Sequence, residues 1–212
     1  MNKENQIRIV KEICETAYSL LIQKLAFGGI TAKNEPAFQL ELGHILKTLG
    51  QLYEFRIEDK FHLDFETYIN LNEQSIKSKS DRARIDILIR YQDNDTITKA
   101  AIELKFFKED NNREPNNRYD VFKDLSNLEL YKRHDIDICY FILATDHKHY
   151  VNQVSYSEKT GDFDFRHDKK YVSKTVLQYK TATPYGPDLV LENDYHFKWK
   201  RINELYFLKV EI

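Results

Sequence analysis

The chain has 212 residues, 42% of them hydrophobic and 13% aromatic, which allows a sizeable core and argues against a disordered protein. Its 32 basic and 34 acidic residues nearly cancel, and the net charge of −2 neither points to nucleic acid nor excludes it, because a local basic groove can sit on a neutral protein. Four prolines and six glycines leave little room for a linker, no apolar run approaches the roughly 20 residues of a membrane helix, and no leader precedes the first amphipathic pattern, so a single cytoplasmic domain without membrane contact is expected.

Ile7, Val10, Ile13, Cys14, Ala17, Leu20, Leu21 and Leu25 recur at helical spacing and predict an amphipathic helix over residues 6–26, ended by Gly28 and Gly29. A second helix is predicted over residues 35–49, with Asn34 as its cap, Pro36 in its first turn, Gly50 as its stop and Phe38, Leu42, Ile45 and Leu49 facing inward. Glu35 and Glu41 flank that inner stripe. A first-turn glutamate ordinarily just complements the helix dipole, so Glu35 gains meaning only if the helix start faces other chemistry.

Residues 61–71 alternate as a strand, with Asp64, Glu66 and Tyr68 on one face. Residues 72–84 are polar, and Lys77, Lys79, Arg82 and Arg84 there form either a solvated loop or a grip for phosphate oxygens. Two apolar strand-like runs follow, residues 84–90 and 101–107, broken by a polar stretch around Asn94 and Asp95. After a polar loop over residues 108–118 come a helix over residues 119–131, built on Val121, Phe122, Leu125 and Leu128, and a buried strand over residues 136–145. The rest is rich in Tyr, His and Asp and carries short β runs at residues 175–181, 189–191, 195–199 and 205–212. Cys14 and Cys139 lie in separate apolar segments and are expected as buried free thiols.

The two central runs carry charges where a buried strand should have none. A hairpin centred between Asn94 and Asp95 sets Asp86 opposite Glu103 and Arg84 opposite Lys105, and the spacing of two keeps Lys105 on the face of Glu103. Two adjacent carboxylates repel unless a cation lies between them, and their hard oxygens suit Mg²⁺. Lys105 beside such an ion could lower the pKa of an attacking water, position it, or stabilise charge developing on phosphorus. The combination suits metal-assisted phosphodiester hydrolysis. The alternative is an amphipathic pair with a salt-bridged outer face. Glu58-Asp59-Lys60 repeats the acid-x-Lys spacing, but outside any such apolar strand. Glycine loops of the Walker or dinucleotide type are absent, so no nucleotide cofactor is expected.

On Glu35, Asp86, Glu103 and Lys105, in that order and on a helix, a strand and a second strand, residues 34–145 resemble the PD-(D/E)xK nuclease superfamily. Residues 34–46 are also similar to the first-helix motif of bacterial nuclease-like proteins. The chain departs from the pattern at Ile85, where the name-giving proline would stand. The resemblance implies a restriction-endonuclease-like α/β fold, a mixed central sheet flanked by helices. Residues 1–33 would be an N-terminal helix, 34–145 the catalytic core and 146–212 a β-rich extension. It further implies that Asp86, Glu103 and the Leu104 carbonyl hold Mg²⁺, with Mn²⁺ as a substitute. Lys105 would orient or activate the water and Glu35, or alternatively Glu41, would assist. Asp120, Lys123 and Asp124 fall where relatives often place polar residues near the site. Lys79, Arg82 and Arg84 would contact nucleic acid. The implied activity is a DNA endonuclease of restriction or phage-defence type, acting as a homodimer. A nuclease-fold module that no longer cuts, or a nuclease for RNA or branched DNA, are the other readings.

Overall fold

In the computed structural model, which describes residues 1–71, 82–111 and 113–212, the side chains of Asn2 and Asn34 accept hydrogen bonds from the backbone N–H groups of Asn5 and Ala37. These caps start α1 (Lys3–Ala26) and α2 (Glu35–Leu52), with Pro36 in the first turn of α2. Gly50 does not end α2, because the helix runs on to Leu52 and the glycine serves close packing instead. A Cβ there would lie 2.3 Å from the Phe61 ring, and one at Gly43 would lie 2.2 Å from the Phe65 ring.

The central strands are β1 (Lys60–Asn70), β2 (Arg82–Gln92) and β3 (Ile97–Phe107), followed by α3 (Glu114–Arg133) and β4 (Ile138–Thr145). β1, β2 and β3 form an antiparallel meander, and β3 pairs parallel to β4 through the α3 crossover. The remainder holds a short α4 (His149–Asn152) and the strands β5 (Lys170–Tyr171), β6 (Val176–Leu177), β7 (Leu189–Val190), β8 (Tyr195–His196), β9 (Lys200–Ile202) and β10 (Leu205–Glu211). β10 pairs with β4 and β9 with β10, giving a six-stranded mixed sheet in the order β1-β2-β3-β4-β10-β9, while β5–β8 and β6–β7 form separate two-stranded ribbons. The described residues are therefore mixed α/β, with four α-helices. No described helix is long and apolar enough to cross a membrane, and Cys14 and Cys139 are buried free thiols.

Two hydrophobic cores sandwich the sheet. α1 and α2 cover one face, while α3 and the extension cover the other. α3 starts at Glu114, before the expected residue 119, with Pro115 opening its first turn, so Arg118 is helical rather than part of a loop. β2 likewise begins at Arg82, which makes Arg82 and Arg84 strand residues. α3 is buried on nearly every side because the extension seals its outer surface. Arg118 donates to the Thr160 and Phe163 carbonyls, and the Glu129 carboxylate accepts from the backbone N–H groups of Glu192 and Asn193 and from the Tyr195 hydroxyl.

One irregularity in the meander shapes everything that follows. Ile87, Ile89 and Tyr91 lie in the core under α1 and α2, yet Ala83 and Ile85 lie in the core under α3. Strict alternation would keep all five on one face. β1 makes the same switch, from Phe61 and Leu63 to Ile69. Its register to β2 is unchanged on either side, Phe65 opposite Ile87 and Thr67 opposite Ile85. Both strands therefore kink together at Glu66 and Asp86, where Glu66 takes the left-handed backbone at φ 52°.

Between α2 and β1, Asp59 is fully buried and accepts from Arg56 at 2.6 Å and 3.1 Å, and these bonds first of all hold its carboxyl below the usual range. A lowered folded value adds stability that is present above the ordinary carboxylate pKa of about 3.9 and lost as pH falls through the lower value. Asp59→Asn should therefore destabilise the protein at pH 7 by about 1–3 kcal/mol, and the gap to wild type should narrow in denaturant titrations below about pH 4. Gly50→Ala should cost about 1–3 kcal/mol despite its better helix propensity. Combined with Phe61→Leu it should cost less than the two single changes together, since both act on one contact.

Candidate active site

The hairpin keeps the expected register from Gln92 opposite Ile97 to Ile87 opposite Ile102, and the regular ladder stops one pair short of Asp86 and Glu103. There the Asp86 carboxylate takes over, with Oδ2 accepting the Leu104 N–H at 2.7 Å. The kink turns the Asp86 carbonyl toward α2, where the Gln39 amide donates to it at 2.5 Å and to Glu66 Oε1 at 3.1 Å. Gln39 thus straps the kink shut and satisfies a buried carbonyl that would otherwise cost desolvation energy.

Lys105 lies at the C-terminal end of β3 and gathers the charges. Its Nζ is 2.9 Å from Asp124 Oδ2, 3.7 Å from Glu35 Oε1, and donates to the Leu104 carbonyl at 2.9 Å. Burial opposes the ammonium charge, but Asp124, Glu35, Asp86 and Glu103 outweigh it and hold the pKa well above that of an ordinary lysine. Glu103 is fully buried on the α3 side and accepts from the Tyr131 hydroxyl at 3.2 Å. Burial raises the Glu35 carboxyl above the usual range, Lys105 pulls it down, and Asp86 and Asp124 push it up again. One cation thus faces four carboxylates supplied by α2, β2, β3 and α3.

Glu35, Lys105 and Asp124 open onto a cleft of about 580 Å³ between the start of α2, the end of β3 and the first half of α3. Its rim carries Lys33, Lys108, Arg113, Lys123 and Tyr185. Lys108 is 3.1 Å from Asp146 and Lys123 is paired with Asp120, so part of this basic rim is already neutralised.

The structure thus brings together Glu35, Asp86, Glu103 and Lys105, with the Leu104 carbonyl beside them. Glu41 lies elsewhere, lining a hollow between α1 and α2 with Leu20 and His44. Arg84 is 2.8 Å from Glu66 at the kink, Arg82 lies opposite Asn70 in the sheet, and Lys79 falls outside the described residues. Among the described residues no three His, Cys, Asp or Glu side chains form a group that could hold a metal ion. Asp124, Gln39 and Tyr131 are the contributions that sequence reasoning does not single out. A signal for Asp124 exists: three residues after Val121 and four before Leu128, it falls on the apolar side of its helix. Compared with known proteins, the chain matches no family model, no curated protein and no solved structure.

Because Asp124 is 1% exposed and holds the Lys105 ammonium directly, Asp124→Ala should destabilise the fold by about 3–5 kcal/mol. Urea unfolding measures this, and a loss below about 1 kcal/mol would mean that the pair behaves like a solvent-screened surface bridge.

Proposed function

We propose that this chain is a Mg²⁺-dependent nuclease of the restriction-endonuclease-like type, hydrolysing phosphodiester bonds in DNA. The observation that carries the reading is the clustering of Glu35, Asp86, Glu103 and Asp124 about the Lys105 ammonium, with Glu35, Lys105 and Asp124 lining a cleft that also carries basic side chains. DNA as the substrate follows from the sequence resemblance alone.

The residues present suit a hard divalent ion in their donor chemistry. Asp86 and Glu103 supply carboxylates on neighbouring strands and Leu104 a carbonyl within reach of Lys105, and the local charge is more negative than one lysine balances. Mg²⁺ is characteristically held by one or two carboxylates plus water and substrate phosphate rather than by an all-protein cage, so a set of two carboxylates and one carbonyl is compatible with it. Held by Asp86, Glu103 and the Leu104 carbonyl, such an ion would supply Lewis acidity toward a phosphoryl oxygen and would make water a better nucleophile. Lys105 stays protonated in its ring of acids, and so acts as a cation that orients water and offsets charge building on phosphorus. Glu35, at the cleft wall beside it, accepts a hydrogen bond from a water on its way to the phosphate. Lys33 and Arg113 on the rim hold flanking phosphates.

A module that binds nucleic acid without cutting it is the second reading. It draws on the Lys105–Asp124 pair, which gives the lysine a purely structural partner. One assay separates the two: supercoiled plasmid, single-stranded DNA and RNA incubated with Mg²⁺ or EDTA. Cleavage should require Mg²⁺, and Asp86→Asn and Lys105→Gln should each lower it by about a hundredfold or more while the circular dichroism stays that of wild type. Wild type that leaves all three nucleic acids intact would sink the enzyme reading.

A further inference from the structure

Among the described residues that line the cleft, Tyr185 alone comes from the extension. It is 41% exposed, whereas Tyr119, on which it packs, is 2% exposed. Its neighbours hold it in place. The Tyr119 ring meets it edge-on at 5.4 Å and 89°, and its hydroxyl lies 3.3 Å from Asp120 Oδ2 and accepts from Arg113 Nη2 at 3.3 Å. The backbone on either side is equally constrained. Pro184 and Pro187 restrict the local torsions, the Tyr119 hydroxyl donates to the Pro187 carbonyl at 2.9 Å, and Gly186 packs so tightly on Tyr119 that a Cβ would fall 2.3 Å from that hydroxyl. A rigid, partly exposed aromatic ring therefore projects at the edge of the cleft that holds Lys105, with Arg113 and Lys123 also on its rim.

We infer that Tyr185 is a stacking platform for an unpaired base, so that the cleft takes a single-stranded segment of DNA rather than a closed duplex. The inference rests on the nuclease reading for the identity of its ligand as DNA. An aromatic face next to cationic side chains is the combination that binds single strands without reading sequence. In a duplex both faces of a base are covered by its neighbours, so stacking on a protein ring demands a base that is unpaired or extruded. Size is compatible. At about 580 Å³ the cleft falls within the range of small-ligand sites, roughly 300–1,000 Å³, which is enough to admit a single nucleotide. Because the ring is already fixed, little ordering entropy is lost when a base lands on it.

The test uses the full chain in EDTA, so that binding is read apart from cleavage. The probes are a fluorescently labelled 12-nucleotide single strand, the same strand carrying 2-aminopurine, and the same strand annealed to its full complement. Tyr185→Ala should weaken single-strand binding by about tenfold to a hundredfold, and should abolish the 2-aminopurine quenching that wild type produces on binding. Tyr185→Phe should retain both affinity and quenching, because the ring and not the hydroxyl does the stacking. Gly186→Ala should weaken binding with Tyr185 intact, by displacing the platform. Duplex binding should change in none of them. The inference is overturned if wild type does not bind the single strand, if Tyr185→Ala binds it as wild type does, or if Tyr185→Phe falls as far as Tyr185→Ala. A protein that binds and quenches but cuts nothing in Mg²⁺ keeps this inference and loses the nuclease reading.

Discussion

The ammonium of Lys105 is the constraint that the rest of the centre answers to. A lysine at the end of a central strand loses its hydration and can stay charged only if anions replace the water. Asp124 does so at 2.9 Å, Glu35 at 3.7 Å, and Asp86 and Glu103 through the field they set up around it. Each carboxylate comes from a different element. The start of α2, the kink of β2, the end of β3 and the middle of α3 must all be in place for the lysine to be charged and buried at once. The same surplus of acid that secures the lysine leaves the centre with room for a further positive charge. Structural need and chemical opportunity therefore rest on one set of side chains.

The kink at Glu66 and Asp86 is the backbone expression of this constraint. A regular β2–β3 ladder would commit the Leu104 N–H to a carbonyl of β2 and leave Asp86 on a flat sheet surface. Because the two outer strands switch faces together, the Asp86 side chain binds the Leu104 N–H and its carbonyl turns to Gln39. The paired strands share the distortion without a change of register, so the outer half of the sheet is not disrupted. Gln39 then matters alongside the acids, since it joins α2 to both kinked residues.

Much of this was legible in the sequence. The two apolar runs and the polar break between them predict the hairpin register, Asn34 and Pro36 mark the start of α2, and Glu35 stands at the helix end that meets Lys105. The kink was not legible, because every odd-numbered residue from Ala83 to Tyr91 is apolar and fits a strand facing one core as well as a strand that switches cores. The early start of α3 was hidden by the composition of its first turn, Glu-Pro-Asn-Asn-Arg, which reads as loop. Asp124 falls with Asp120 and Lys123 where the resemblance puts polar residues near the site, and the neighbouring Val121 and Leu128 mark it as the inward one of the three. The extension resisted reading for another reason. Its strands are mostly two or three residues long, and it is held by side-chain bonds such as Tyr171 and Tyr195 to backbone and carboxylate. Such bonds leave no periodic trace.

That extension is better understood as part of the centre than as an appendage to it. α3 carries Asp124 and Tyr131 on the side that meets β3, and Arg118, Tyr119 and Glu129 toward the extension. A helix so apolar on one side and so buried on the other needs cover on both, and the aromatic side chains of Phe163, Phe165, Phe197 and Trp199 provide it. Covering the outer side of α3 fixes the helix against β3, and with it the reach of Asp124 to Lys105. The segment that performs the sealing also delivers Tyr185 to the mouth of the cleft. The setting of α3 and the shape of the entrance thus follow from one packing event, the laying of the extension onto α3.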